Sequence, residues 1–240
     1  MTPHHRRHLL VLAAGAGRRV GESVPKQFLT DRDGVTILQH TLQRALERVR
    51  WDSIVVAVPA DRCAAARALF VDHVLPPLTV VAGDAQRMNS LRNALESIPD
   101  APDDICVVHD GVRPCTPPAM FSAVVARLRD TSIAACWPAS PIRDTVLVST
   151  GPDAWGTSPP GDSMIAATPI AIRRHALGAA LSGDVPLSEI LISRILEARV
   201  TWSTVENSWW NFKVTTAADL AMARELLSAR ARCALRGDEQ

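Results

Sequence analysis

The chain alternates short, continuously apolar runs with longer windows in which apolar residues recur every three or four positions. Leu9–Ala13 reads as a strand. Thr36–Val49 reads as a helix with Ile37, Leu38, Leu42, Ala45, Leu46 and Val49 on one side. The same alternation predicts strands at Ser53–Val58, Leu78–Val81, Ile105–His109 and Ser132–Trp137, and helices at Ala60–Phe70, Gln86–Ile98 and Pro117–Leu128. In the last helix Phe121, Val124, Val125 and Leu128 follow the i, i+3, i+4, i+7 spacing that gathers them on one face. Strands apolar throughout, each followed by an amphipathic helix, predict an α/β fold. Its sheet is expected to be mostly parallel, with helices on both faces.

The rhythm breaks at Pro141–Pro169, which holds five prolines, Gly-Pro and Pro-Gly turn pairs, and one short strand at Thr145–Ser149. This predicts a protruding hairpin arm or long ordered loop rather than a linker, because regular elements resume afterwards. Helices are expected at Ile172–Leu181 and Leu187–Ala198, a strand at Val200–Val205, and a final helix from Ala217 to about Leu235. The expected organisation is a single domain over residues 1–240 with 141–169 as an inserted arm.

Composition excludes some partners. A net charge of +1 on 240 residues gives no support for bulk nucleic-acid binding, so any positive patch must be local. Five cysteines, odd in number, scattered and never in a C-x-x-C pair, fit reduced thiols in a cytoplasmic protein. No apolar run approaches the ~20 residues that cross a bilayer, so no membrane association is expected. The start has basic residues, an apolar run and Ala14-Gly15-Ala16, the outline of a signal peptide. Its removal would delete the first strand, so it is expected to belong to the fold.

Chemistry concentrates in four segments. "VLAAGAGRRVGESVPKQFL" (11–29) places a side-chain-poor loop at a strand-to-helix turn, where ligands bind in open α/β sheets. Gly15 and Gly17 let backbone N–H groups approach an anion. Neither a dinucleotide fingerprint nor a P-loop is present, since Val20 stands at the third glycine position and no Gly-Lys-Ser/Thr follows. What remains is a glycine loop beside Arg18, Arg19 and Lys26, a combination suited to a polyphosphate. The plain alternative is a tight turn with a solvated charge run, which the Pro25-Lys26-Gln27 stop disfavours.

In "CVVHDGVRPC" (106–115) Asp110 ends a central strand, Gly111 permits a sharp turn, and Arg113 follows. A carboxylate there is placed to hold Mg²⁺ against phosphates. A helix cap is the plain alternative, and a His109-Asp110 metal hydrolase a rival one, although His40, His73 and His175 lack ligand spacing. "VAGDAQRMNSLRNAL" (81–95) offers Gly83, Arg87 and Ser90, and "WWNFKVTTAADL" (209–220) puts Lys213 on a short strand before the last helix. Alone these would be a capped helix and a solvent-facing lysine, with Trp209 and Trp210 as packing residues.

Taken in order, Leu12 to Arg19, Pro25-Lys26-Gln27, Gly83 to Ser90, His109 to Pro114, Asp144-Thr145 and Phe212-Lys213-Val214-Thr215 resemble the methylerythritol phosphate cytidylyltransferases over most of the chain. The first motif is shared by many nucleotidyltransferases; the ordered set is far more specific. The resemblance implies a Rossmann-like nucleotidyltransferase fold and a homodimer that exchanges the 141–169 arm. It implies transfer of CMP from Mg-bound CTP to a polyol phosphate, 2-C-methyl-D-erythritol 4-phosphate, with pyrophosphate expelled. By position Arg19, Lys26 and Lys213 would be catalytic, and Asp110 would hold Mg²⁺. Ala13, Ala14, Gly15, Gly17, Gly83 and Ser90 would line the nucleotide, with Arg113 and Thr145 nearby.

The departures fall on the acceptor side. Leu12 replaces the family's proline, and its paired glycines read Gly83-Asp84. Counting back from Thr168-Pro169, the arginine of the family's arm motif is Pro160, and Ile170 stands where it has glutamine. Its Thr-Asp-Glu-Ala-Ser segment reads Leu187-Ser188-Glu189-Ile190-Leu191. These changes leave open a transferase for another polyol phosphate, such as ribitol phosphate, or a nucleotide-binding paralogue without turnover. Arg143, Arg173 and Arg174 are the nearby cations that would replace the missing arginine.

Overall fold

The computed structural model describes residues 5–15, 24–71, 76–159, 161–182 and 190–235, with side chains described up to residue 228. Its centre is a run of strands apolar on both faces. β1 (Arg7–Leu12) pairs in parallel with β2 (Ser53–Val58) on one side and β4 (Ile105–Asp110) on the other. β3 (Leu78–Ala82) continues the sheet beyond β2, also in parallel.

On the far side β5 (Ala135–Pro141) and β10 (Trp202–Glu206) pair in parallel. β9 (Ile170–Arg173) joins the two halves by running antiparallel to both β4 and β5, giving the order β10-β5-β9-β4-β1-β2-β3. A helix was expected to begin at Ile172, and this strand is the main correction to the topology. Three apolar residues and an arginine have no readable period, and it is pairing with the distant β4 that makes them extended.

Helices cover both faces, as the sequence pattern predicts. α1 (Ile37–Leu46), α2 (Cys63–Ala68) and α4 (Pro118–Arg127) pack on the face carrying Leu9, Val11, Val107 and Ala171. α3 (Arg87–Leu95), α5 (Arg174–Leu181) and α6 (Leu191–Glu197) pack on the face carrying Leu10, Val55, Val108 and Ile172. The odd-even split along each strand is the pleat itself. α1 starts at a capping box in which Thr36 and Gln39 bond reciprocally. The expected helix at Ala60–Phe70 is shorter, a 3₁₀ turn at Ala60–Arg62 followed by α2.

The 141–169 segment carries more strand than the one expected. β6 (Val146–Gly151) and β7 (Ala154–Ser158) form a separate two-stranded hairpin, and β8 (Met164–Ala166) pairs with β5. The last helix, α7 (Ala217–Leu235), closes a third apolar cluster in which Leu220, Ala223 and Leu227 meet Ile37, Val112 and Val214.

Candidate active site

The carboxyl ends of β1, β3 and β4 meet at one edge of the sheet, and the loops leaving them form a cleft. Close approach of those loops is what the sequence demands of its glycines there. A Cβ on Gly83 would stand 2.4 Å from the Ala14 Cβ, and one on Gly111 would stand 2.7 Å from the Ala13 Cβ. The paired small residues Ala13-Ala14 and the two glycines are therefore one packing unit built from three loops. A sharp turn at Gly111 was expected; contact with β1, rather than turn geometry, is what excludes a side chain there. A Cβ on Gly15 would meet nothing within 4 Å, which leaves its backbone open towards the cleft.

The Pro-Lys-Gln stop has a mechanical role. Lys26–Phe28 forms a 3₁₀ turn, and the buried Gln27 amide donates to the Ala13 and Gly15 carbonyls. This ties the glycine loop to the lysine that follows it, and Lys26 is itself 8% exposed. Ser90 is equally committed: its hydroxyl accepts from the Asp84 N–H at 2.9 Å and donates to the Asp84 carbonyl at 3.1 Å. It shapes the turn after Gly83.

Three cations converge on one buried carboxylate. Asp110 Oδ1 meets Arg87 Nη2 at 3.0 Å, and Oδ2 meets Arg113 Nε at 3.2 Å and Lys213 Nζ at 3.3 Å. Burial alone would raise the Asp110 pKa, but Arg87, Lys213 and Arg113 outweigh it and hold the group well below the ordinary carboxylate range. Asp110 therefore stays ionised, and the cluster carries more positive than negative charge. Lys213 sits on an extended segment rather than the strand expected. That segment is fixed by the Val214 N–H to the Val112 carbonyl and by buried Asn211, whose amide donates to the Thr168 carbonyl at 2.9 Å.

His109 points to the other face of β4 and cannot share a ligand with Asp110, which removes the metal-hydrolase alternative. It is fully buried, edge-on to Phe121 with ring centroids 4.8 Å apart, and neither ring nitrogen has a hydrogen-bond partner among the described residues. Burial pushes its pKa down to about 3. The unfolded chain takes up this proton below about pH 6.5, while the folded chain does not until about 3, so stability falls on acidification across that window. Between pH 7 and pH 5 the loss from this residue is expected to be about 2 kcal/mol. Denaturant titrations of the parent and His109→Met check it: the variant should show the flatter pH dependence, and equal slopes would refute it.

Two cavities meet at the cluster. One of about 280 Å³ is lined by Ala13, Ala14, Gly15, Lys26, Gln27 and Asp84, with Ser90 at its edge. The other, about 240 Å³, is lined by Arg113, Thr168, Ile170, Ile190 and Leu191. Arg87, Asp110 and Lys213 border both.

Among the expected site residues, Gly83 shapes the first cavity without lining it, and Arg113 lines only the second. Thr145 is exposed at the base of the arm and borders neither. Gly17 and Arg19, like Arg18, Pro160 and 187–189, lie outside the described residues. Neither Arg173 nor Arg174 reaches the cleft: Arg174 pairs with Asp100 at 3.2 Å, and Arg173 lies at the opposite end of the sheet. The sequence reading offered Arg87 at this sheet edge without assigning it a task, and passed over Gln27. Their place in the quoted motifs was the available signal.

Comparisons with known proteins give the family. The IspD family model, 2-C-methyl-D-erythritol 4-phosphate cytidylyltransferase, matches residues 7–229. The enzyme of that name from Nocardia farcinica is 37% identical over 92% of this chain and 94% of its own. The one from Syntrophotalea carbinolica is 33% identical over 92% and 95%. The crystal structure of the Francisella tularensis enzyme superposes with a TM-score of 0.73 at 26% identity, covering 91% of this chain and 98% of that one. On sequence, fold and extent alike, the chain belongs to the 2-C-methyl-D-erythritol 4-phosphate cytidylyltransferase family.

Proposed function

We infer that the chain carries out its family's reaction, with CTP in the glycine-lined cavity and 2-C-methyl-D-erythritol 4-phosphate in the adjoining one. The observation that carries this assignment is the shared border: two cavities meet at Arg87, Asp110 and Lys213. An acceptor phosphate oxygen in the second cavity attacks the α-phosphorus of CTP in the first. The new P–O bond forms as the bond to the β-phosphate oxygen breaks, and pyrophosphate leaves. Negative charge grows on the oxygens around the α-phosphorus, so Lys26, Lys213 and Arg87 supply the preorganised positive field. Arg19 joins them by its place in the motif.

Asp110 suits Mg²⁺, being ionised, buried and on the border of both cavities. Among the described residues no cluster of three or more metal-ligating side chains exists, so phosphate oxygens and water would complete the ion's shell. Once bound, Mg²⁺ would draw charge from the phosphates. Arg113, with Arg87 and Lys213, would take the acceptor phosphate whose arm arginine is replaced by Pro160.

The whole chain works as one nucleotidyltransferase domain, with 141–169 as an arm that pairs two copies. Leu147, Val148 and Trp155 stand exposed on its hairpin, with Met164 and Ile165 exposed beside it, an apolar surface that a second copy would cover. Such a homodimer would carry Thr145 of one copy towards the site of the other. The scattered cysteines support a cytoplasmic location.

Pyrophosphate release with CTP, Mg²⁺ and 2-C-methyl-D-erythritol 4-phosphate tests the assignment. Release should require all three, and CTP should outperform ATP and GTP. Equal rates with every ribonucleotide, or release without acceptor, would overturn it.

A further inference from the structure

At the end of the sheet opposite the charged cluster lies a cavity of about 520 Å³, a size typical of small-molecule sites. It opens where the core between the sheet and helices α1 and α4 runs out. Ile105, Val49, Val125 and Leu128 form its apolar wall. Four arginines line it as well: Arg7 from β1, Arg48 following α1, Arg129 following α4, and Arg173 ending β9. No Asp or Glu is among its described lining residues. Among the described residues none of these guanidiniums takes part in an ion pair. Asp52 accepts the main-chain N–H of Arg7, not its side chain.

Arg173 makes the arrangement more than a solvated basic rim. It is 6% exposed, and among the described residues its guanidinium has one hydrogen bond, from Nη2 to the Leu128 carbonyl at 2.7 Å. A guanidinium has five N–H donors, and a buried one without a counter-ion carries a desolvation cost that a bound anion reduces. Arg7, Arg48 and Arg129 add charge at the more open side of the same cavity.

We propose that this cavity is a second ligand site, separate from the cleft, which takes a phosphorylated small molecule with an apolar body and anchors the phosphate on Arg173. A phosphate monoester brings close to two negative charges and several acceptor oxygens, matching planar guanidinium forks better than a carboxylate does. The apolar wall takes the remainder of the molecule. A concave cavity with such a wall favours a small molecule over a polyanionic chain, whose contacts would spread along an open surface.

Phenyl phosphate is the probe, with phenol and benzoate as controls, followed on the full chain by methyl NMR. Ile105, Val125 and Leu128 report on this cavity, and Leu12 and Val112 on the cleft. Phenyl phosphate is expected to shift the first group saturably, benzoate more weakly, and phenol not at all. The double variant Arg48→Ala/Arg129→Ala, altered only at exposed side chains, should bind about tenfold more weakly. Arg173→Met should weaken binding further, and because that change is buried the exposed pair keeps the test sound if it unfolds. Shifts confined to Leu12 and Val112, equal shifts from phenol, or unchanged affinity in the double variant would each overturn the proposal.

Discussion

Replacing Lys26 by methionine is expected to lower kcat by about 10²–10³-fold while CTP affinity changes little. Methionine preserves much of the buried stem, so the loss reports charge rather than packing. The position explains the size. Lys26 sits on a turn whose next residue, Gln27, is bonded to the glycine loop, so it is held at the first cavity, where the phosphates of the proposed CTP would lie. A cation fixed in a mostly buried site needs no reorganisation as charge develops, and its benefit therefore falls on the transition state. Lys213→Met should lower kcat less, because that side chain is 39% exposed and water replaces part of its field. Steady-state kinetics with varied CTP separates the cases. A rise in KM alone, with kcat unchanged, would make Lys26 a ground-state binding residue.

Asp110→Asn is expected to reduce turnover by about 10³-fold, through two opposed effects on the nucleotide. Arg87, Arg113 and Lys213 now meet across a carboxylate that balances part of their charge. Asparagine keeps the volume but leaves three cations facing a neutral group. Free CTP, without Mg²⁺, should then bind more tightly than to the parent. Added Mg²⁺ should no longer strengthen binding, since the ionised oxygen that would hold it is gone. Calorimetry with and without Mg²⁺ reads both. If Mg²⁺ strengthens CTP binding equally in parent and variant, Asp110 is a structural counter-ion and the metal is held elsewhere.

By itself the sequence determined the alternating elements and the family. Short apolar runs and a three-to-four-residue period are local properties, so β1, β2, β4, α1 and α4 were legible from their own apolar residues. The ordered motifs likewise located Ala13 to Gly15, Lys26, Asp110 and Lys213, because each is a short string read without knowing its neighbours. Tertiary structure alone decided the rest. Only pairing with β4 and β5 makes Ile170–Arg173 a strand, and that strand places Arg173 at the far end of the sheet from the acceptor cavity it was expected to serve. Only the meeting of three loops explains why Gly83 and Gly111 tolerate no Cβ, and why Arg87 and Lys213 share one carboxylate. Contacts between residues far apart in the chain leave no periodic trace in it, since each partner satisfies its own local pattern whatever it will later touch.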